Sequence, residues 1–165
     1  RKIKRVQDVV KIFAAVRAEV PSKLLFVGDG PERSTAEDLA KELGVFDEVR
    51  FVGKQEQMED ILAIADLFLL TSEYESFGLA ALEAMAAGVP VVSTNAGGLG
   101  EINVEGVTGY LADVGDISTM TAKAISIIKD DTILNGFKER AANHAKTFDI
   151  SRVVPVYEKL YERFL

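Results

Sequence analysis

Short apolar runs alternate with longer amphipathic stretches along almost the whole of this chain. The runs lack a polar residue at every second position, which indicates strands that are buried on both faces. When helical stretches separate strands of this kind, the strands form a parallel sheet with helices on both sides. The sequence therefore predicts an α/β fold built on a doubly wound parallel sheet.

The expected elements follow from this pattern and from the turn signals between the runs. Strands are predicted at residues 23–27, 49–52, 66–71, 89–94 and 109–111. Helices are predicted at residues 6–19, 32–43, 58–64 and 78–87, with terminal helices that include residues 141–146 and 151–164. The first element is a helix, whereas a doubly wound sheet begins with a strand, so we expect a strand to precede this chain in the natural polypeptide.

Length and charge narrow the class of protein further. With 165 residues, 48% of them hydrophobic, the chain is expected to bury one core and to form a single domain over residues 1–165. It has no cysteine, no 18-residue apolar run and no signal peptide, from which we expect a cytoplasmic protein with no membrane span. The net charge of −7 argues against a nucleic-acid partner and leaves a homo-oligomer open.

Two glutamates stand eight positions apart in the stretch ESFGLAALEAMAAGVP, which covers residues 75–90. Glu75 is predicted to lie in the loop after a strand, and Glu83 in the helix that follows. Helical spacing places Glu83 on one face with Leu79, Leu82 and Ala86, which we expect to pack inward. A carboxylate on that face must be neutralised, hydrogen-bonded or exposed to a ligand with hydroxyl donors, unless it borders the apolar stripe and reaches water.

Two glycine-rich loops, residues 28–32 and 95–101, each follow a predicted strand. The first opens a helix, where backbone N–H groups attract anions, although Asp29 and Glu32 also resemble a capping box that needs no ligand. The second either lets the backbone approach a ligand closely or is a flexible connection. Arg33 stands where a dinucleotide-binding fingerprint requires its third glycine, which argues against a dehydrogenase.

Other ionisable side chains offer little chemistry. His144 is the only histidine in the sequence and lies far from every motif, so a surface or packing role is favoured. Four aspartates fall at predicted turns and helix starts, where capping explains them: Asp113, Asp116, Asp130 and Asp131. A response-regulator-like fold requires clustered aspartates after its early strands, and only Asp29 stands in the first loop.

Four motifs occur in order along the chain: FVGDGPE, VRFVGK, ADLFLLTSEYESFGLAALEAMAAGVPVVSTNAGG and VTGYLADVGD. Together they resemble the signatures of the retaining family 4 glycosyltransferases, with Glu75 and Glu83 in the E-x7-E motif. The resemblance covers nearly the whole chain. It implies the Rossmann-like, donor-binding C-terminal domain of a GT-B glycosyltransferase, with an N-terminal acceptor domain that is absent from this chain.

The resemblance also implies an activity. A nucleotide-sugar donor, expected to be UDP-N-acetylglucosamine, would transfer its glycosyl group with retention at the anomeric carbon, and no metal or other cofactor is expected. The alternatives are a different sugar transferase of the same family and, for this chain alone, a nucleotide-sugar-binding module without turnover.

Three residues receive catalytic roles from the resemblance. Glu75 would contact the hydroxyls of the donor sugar, and Lys4 would offset charge on the leaving diphosphate. Arg1 would assist Lys4, and these two belong to a basic segment with four cations among residues 1–5, which suits a diphosphate.

Seven further residues are expected to bind the donor. Glu83 would hold the ribose hydroxyls, and Lys54 would lie beside the base. The backbone of residues 76–79 would approach the sugar and diphosphate, and the first glycine-rich loop would meet the phosphate. The predicted binding residues are Glu83, Ser76, Phe77, Gly78, Leu79, Lys54 and Gly28.

Overall fold

The computed structural model describes residues 2–164, and within them it contains eight α-helices and five β-strands. The strands are β1 (Leu24–Phe26), β2 (Val49–Phe51), β3 (Phe68–Leu70), β4 (Val91–Thr94) and β5 (Gly109–Ala112). The helices are α1 (Val6–Glu19), α2 (Arg33–Glu42), α3 (Met58–Ala63), α4 (Leu79–Ala86), α5 (Leu99–Ile102), α6 (Ile117–Ile128), α7 (Asp131–Ala145) and α8 (Ile150–Tyr161). All five predicted strands are present, and the predicted bounds of α1 are confirmed.

All the strand pairs are parallel, as the buried apolar runs predict. In the described residues, β1 pairs with β2, and a second sheet has the order β3-β4-β5. Parallel strands run in the same direction, so their carboxyl ends lie at the same edge of a sheet. The loops after β3 and β4 therefore leave one sheet at one edge, and the loop after β1 leaves the other sheet at the carboxyl end of its strand. The loops after β1 and β3 carry five of the ten predicted site residues: Gly28, Glu75, Ser76, Phe77 and Gly78.

Helices cover both faces of the three-stranded sheet. Val91 of β4 belongs to an apolar cluster with residues of α4, α5 and α7, whereas Val92 belongs to another with residues of α1 and α6. Consecutive residues of a strand point to opposite faces, so β4 is buried from both sides. The doubly wound α/β prediction is therefore confirmed for this sheet, and a third cluster packs α1 and α2 against the β1-β2 pair.

The predicted capping box at the start of α2 is wrong. Helix α2 begins at Arg33, and Glu32 at its N-cap position makes no side-chain capping bond. Asp29 instead accepts a hydrogen bond from the backbone N–H of Gly30 at 2.8 Å. A turn at residues 31–32 separates Asp29 from the helix, so its carboxylate does not reach the first free amides of α2.

Of the four aspartates predicted as caps, Asp116 caps α6 and Asp130 caps α7, whereas Asp113 and Asp131 make no side-chain capping bond within residues 2–164. Asp116 accepts a hydrogen bond from the backbone N–H of Thr119 at 3.0 Å and another from the Ser118 hydroxyl at 3.0 Å. Asp130 accepts from Thr132 and Ile133 in the same way at the start of α7.

The cap of α6 predicts a pH dependence of stability. The bonds from Thr119 and Ser118 lower the pKa of Asp116 below its ordinary value of 3.8. A carboxylate whose pKa is lowered by folding stabilises the folded state above the unfolded pKa and loses this contribution as pH falls through the folded pKa. Asp116→Asn keeps a capping oxygen without titrating. The stability difference between wild type and this variant is expected to be constant above about pH 5 and to shrink below the ordinary value. Thermal unfolding from pH 7 to pH 3 measures it, and a difference that does not change with pH would contradict the assignment.

The last helix, α8, presents an apolar stripe that no described residue covers. The large apolar side chains of this stripe are all exposed: Val153, Val154, Tyr157, Leu160, Tyr161 and Phe164. Between residues 2 and 164, no helix combines the length and the low polarity that crossing a membrane requires.

Candidate functional site

The loop after β3 holds Glu75 beside Lys4. The side chain of Glu75 is 15% exposed and that of Lys4 is 44% exposed, and the two form an ion pair. The Ser72 hydroxyl donates a further hydrogen bond to the Glu75 carboxylate at 2.8 Å. The structure thus brings two predicted catalytic residues together, although 71 positions separate them in sequence.

The short 3₁₀ turn Lys2–Lys4 is tied to this loop through backbone groups. The Thr71 hydroxyl lies 2.9 Å from the carbonyl oxygen of Lys4 and 3.0 Å from that of Arg5. The backbone N–H of Glu73 donates to the carbonyl of Ile3 at 2.8 Å. Sequence reasoning missed these contacts because neither Thr71 nor Glu73 belongs to a motif that points to residues 2–5.

The second glycine-rich loop packs directly on the Glu75 loop. A Cβ atom on Gly97 would lie 1.9 Å from the carbonyl oxygen of Glu75, and one on Gly98 would lie 2.7 Å from that of Ser76. The Gly98 N–H donates to the Glu75 carbonyl at 2.8 Å. The close packing argues against a merely flexible connection at these two glycines, and an approach of this loop to a ligand stays a prediction. The two glycines allow one loop backbone to support the other.

The residues at the start of α4 are mostly open to solvent. Gly78 precedes the helix with φ 94° and is buried against Leu99. Ser76, Phe77 and Leu79 are exposed, the last by 63%. The first amides of a helix lack partners within it and carry the positive end of its dipole. This terminus is suited to an anionic group, and the donor contacts of residues 76–79 stay a prediction.

The predicted inward face of α4 is wrong. The buried residues of the helix are Ala81, Ala84 and Met85, whereas Leu79 and Glu83 are exposed. Glu83 therefore reaches water, which was the alternative interpretation. Every other residue of α4 is apolar, so helical spacing did not select a face. Small side chains face the neighbouring helix because α4 packs closely on α7.

A second open region lies at the carboxyl ends of β1 and β2. A pocket of about 180 Å³ is lined on one side by Lys4 and Val6 and on the other by the first glycine-rich loop. Gly28, with φ 109°, donates its N–H to the carbonyl of Gly53 at 2.7 Å and so joins this loop to the one after β2. Lys54 follows directly and is exposed. The predicted phosphate and base contacts thus lie on neighbouring loops.

Aromatic stacking forms one wall of this pocket. The rings of Phe26 and Phe51 are parallel, with centroids 4.9 Å apart. The Arg33 guanidinium lies 5.6 Å from the Phe51 centroid, and its hydrogen bond to Glu37 raises the pKa of Arg33 above its ordinary value. The residue that argues against a dinucleotide fingerprint therefore lines the pocket as a cation.

The basic segment at residues 1–5 is less open than its sequence suggests. Lys4 is paired with Glu75, and Arg5 is paired with Asp8 and Glu73. Arg1 lies outside the described residues, so its predicted role stays a prediction. Sequence reasoning did not single out Asp8, although an acidic residue three positions after Arg5, in the first helical turn, was the available signal.

The arrangement is suited to holding a polar anionic ligand. No group of three or more histidine, cysteine or acidic side chains with metal-binding geometry occurs among residues 2–164. His144 lies in α7, with its ring 5.4 Å from that of Phe148, which agrees with a packing role. What the site offers is two lysines, one arginine, two glutamates, a helix N-terminus and exposed loop backbone.

In open α/β sheets, ligands bind outside the carboxyl ends of the strands, which is where these loops lie. The sequence pattern of the glycosyl transferases group 1 matches residues 1–145, and the chain belongs to this family. An N-acetyl-alpha-D-glucosaminyl L-malate synthase from Bacillus anthracis is 48% identical over 162 residues, which are 98% of this chain and 42% of that protein. A 2-deoxystreptamine N-acetyl-D-glucosaminyltransferase from Niallia circulans is 32% identical over 150 residues, 87% of this chain and 38% of that protein.

Solved structures agree on the fold. HepE from Anabaena, solved in complex with UDP, superposes on this chain with a TM-score of 0.88 at 26% sequence identity. The match covers 98% of this chain and 46% of the HepE chain. These comparisons confirm the prediction of an α/β fold of the GT-B type. The chain spans 42% and 38% of the lengths of the two curated relatives named above.

Proposed function

We propose that this chain forms the donor-binding side of a retaining glycosyltransferase that transfers N-acetylglucosamine from its UDP derivative to L-malate in bacillithiol biosynthesis. The observation that carries the proposal is 48% identity, over 98% of this chain, to a protein named for the N-acetylglucosaminyl-malate product. Identity to the 2-deoxystreptamine enzyme is 32%, which favours the malate assignment over that acceptor. Because this chain spans 42% of the malate synthase, the acceptor site would belong to a further N-terminal domain.

Lys4 and Glu75 would act at the reacting end of the donor. Charge develops on the leaving diphosphate during glycosyl transfer, and a cation already held in place lowers the energy of that state. Lys4 would supply this charge together with Arg1, and the N-terminus of α4 would add its dipole. Glu75 would accept hydrogen bonds from the sugar hydroxyls, with the backbone of residues 76–79 close to the sugar and phosphate.

The nucleoside end of the donor would be held by α4 and by the loops after β1 and β2. Glu83 lies four residues after the start of α4, about 6 Å along its axis. Its exposed carboxylate can accept hydrogen bonds from both hydroxyls of a ribose. Lys54 and the Gly28 loop would lie along the base and the phosphate.

The proposed mechanism requires no metal. Lys4 and the α4 terminus would provide the positive charge that a divalent cation supplies in other phosphate-binding sites. The two glutamates would position the donor, and neither would act as the nucleophile or acid of a hydrolytic glycosidase.

Calorimetric titration tests the donor assignment. The chain is expected to bind UDP and UDP-N-acetylglucosamine more tightly than ADP, at low salt and with EDTA present. Glu83→Ala removes a charged acceptor of ribose hydrogen bonds, so UDP affinity is expected to fall at least about tenfold. Glu139→Ala, at an exposed position of α7, is the matched control and is expected to change affinity less than about twofold.

The possible results separate the candidate functions. Equal loss in both variants, or no preference for UDP over ADP, would contradict the donor site. Selective UDP binding without glycosyl transfer by this chain alone would fit a binding module that needs its acceptor domain for turnover. Transfer by the longer polypeptide to an acceptor other than L-malate would indicate a different sugar transferase of the same family.

A further inference from the structure

Arg5 adopts a backbone conformation that side chains normally avoid. Its φ and ψ are both 47°, and among residues 2–164 it is the one non-glycine residue with positive φ. This region is unfavourable for residues with a Cβ atom, and such strain persists only where surrounding contacts hold it. Arg5 directly follows Lys4 and directly precedes α1, so its conformation sets the direction in which the Lys4 turn leaves the helix.

Two carboxylates and a hydroxyl hold Arg5 in this conformation. Its Nε donates to Asp8 at 2.6 Å, and its Nη1 donates to Glu73 at 3.0 Å. Asp8 is 6% exposed, so this bond is partly shielded from solvent. The Thr71 hydroxyl bonds to the Arg5 carbonyl from the other side. These contacts join the start of α1 to the loop that carries Glu75.

The positive charge of Arg5 is paired with carboxylates of the protein itself. The bonds to Asp8 and then to Glu73 raise the pKa of Arg5 above its ordinary value, so it stays charged throughout the pH range of interest. Lys4 has only Glu75 as a described ion-pair partner and is more exposed than Arg5. Of these two adjacent cations, one is used to hold the turn and the other faces the open site.

We infer that Arg5 is a positioning residue that holds Lys4 against Glu75, where Lys4 can meet the diphosphate of the donor. The role rests on the function proposed above. An ordinary surface ion pair does not require a strained backbone, whereas two tethers on a strained residue fix the direction of its neighbour. Arg5 therefore acts through Lys4 and not through contact with the donor.

Arg5→Gly separates this role from folding. Glycine adopts positive φ without strain, so the variant keeps the turn accessible while it removes both tethers. UDP affinity is expected to fall about tenfold, whereas uridine affinity is expected to stay within about twofold, because uridine has no phosphate. Arg5→Lys keeps a cation at the position and is expected to lie between wild type and Arg5→Gly.

A double variant identifies whether Lys4 mediates the effect. If Arg5 acts through Lys4, then Arg5→Gly combined with Lys4→Met binds UDP as weakly as Lys4→Met alone. A loss that adds fully to that of Lys4→Met would overturn the inference. Equal losses for UDP and uridine would also overturn it, because they indicate a general structural defect.

A measurement without ligand keeps the inference distinct from the proposed donor site. Lys4→Met is expected to shift the ¹³C resonance of the Glu75 carboxylate in an otherwise wild-type chain, and to shift it much less in the Arg5→Gly background. If that result is obtained and wild type ignores UDP, the positioning of Lys4 stands and the donor assignment fails. An equal shift in both backgrounds would show that Lys4 meets Glu75 without help from Arg5, and the inference fails.

Discussion

Gly97→Ala is expected to destabilise the chain by about 3 kcal/mol or more. The new Cβ would lie 1.9 Å from the carbonyl oxygen of Glu75, which is a backbone atom and has no flexible side chain to move aside. Gly97 also has φ 57°, which adds the cost of a left-handed conformation for alanine. The clash and the strain act on the loop that supports Glu75, so UDP binding is expected to weaken with stability.

Gly106→Ala is the matched control for this prediction. Gly106 has φ 73°, but a Cβ atom there would meet nothing within 4 Å. It therefore measures the conformational cost alone, which we expect to be about 1 kcal/mol. Denaturant unfolding of both variants gives the difference that belongs to the clash. Equal losses in the two would mean that the Glu75 loop moves away at little cost, and that Gly97 is not needed to support it.

Asn103→Leu is expected to cost about 3 kcal/mol of unfolding free energy. Asn103 is fully buried directly after α5, and its amide lies 3.1 Å from the Val91 carbonyl and 3.0 Å from that of Tyr110. The side-chain oxygen Oδ1 of Asn103 accepts a hydrogen bond from the Thr108 hydroxyl at 2.9 Å. Leucine is similar in size but leaves these partners without a hydrogen bond, which costs more than loss of the bonds themselves.

Asn135→Leu makes the same substitution at an exposed position of α7 and is the control. It is expected to change stability by no more than about 0.5 kcal/mol. The measurement is again denaturant unfolding, with the far-UV spectrum recorded to verify that each variant folds. A similar effect at both positions would argue that the polar contacts of Asn103 contribute nothing specific to the β4-β5 connection.

Much of the fold was predictable because it depends on local pattern. Apolar runs that lack alternation led to parallel strands, and the bounds of α1 agree with its amphipathic spacing and with the break before Pro21. The loop position of Glu75 and the helical position of Glu83 follow from the same signals. The four motifs placed the chain in a glycosyltransferase family, which the match over residues 1–145 confirms.

The errors occur where a pattern allowed several tertiary solutions. In α4 all residues except Glu83 are apolar, so the buried face was decided by close packing on α7 and not by spacing. Asp29 is of a residue type that commonly caps helices, but the turn before α2 separates it from the helix. For Gly97, the sequence shows that the residue lacks a side chain, but it does not show that the backbone of Glu75 occupies the position where a Cβ atom would lie.

By itself, the sequence determined the class of fold, the order of its five strands and the family to which the chain belongs, but it did not predict α5, which lies in the second glycine-rich loop. These properties depend on hydrophobic period, turn residues and short motifs, which act over a few neighbouring positions. The tertiary structure alone decided that Lys4 meets Glu75 across 71 positions, that Arg5 pairs with Glu73, and that Glu83 faces solvent. Such contacts depend on how distant segments pack, because ion pairs and loop supports form wherever the completed fold brings their partners within a few ångströms.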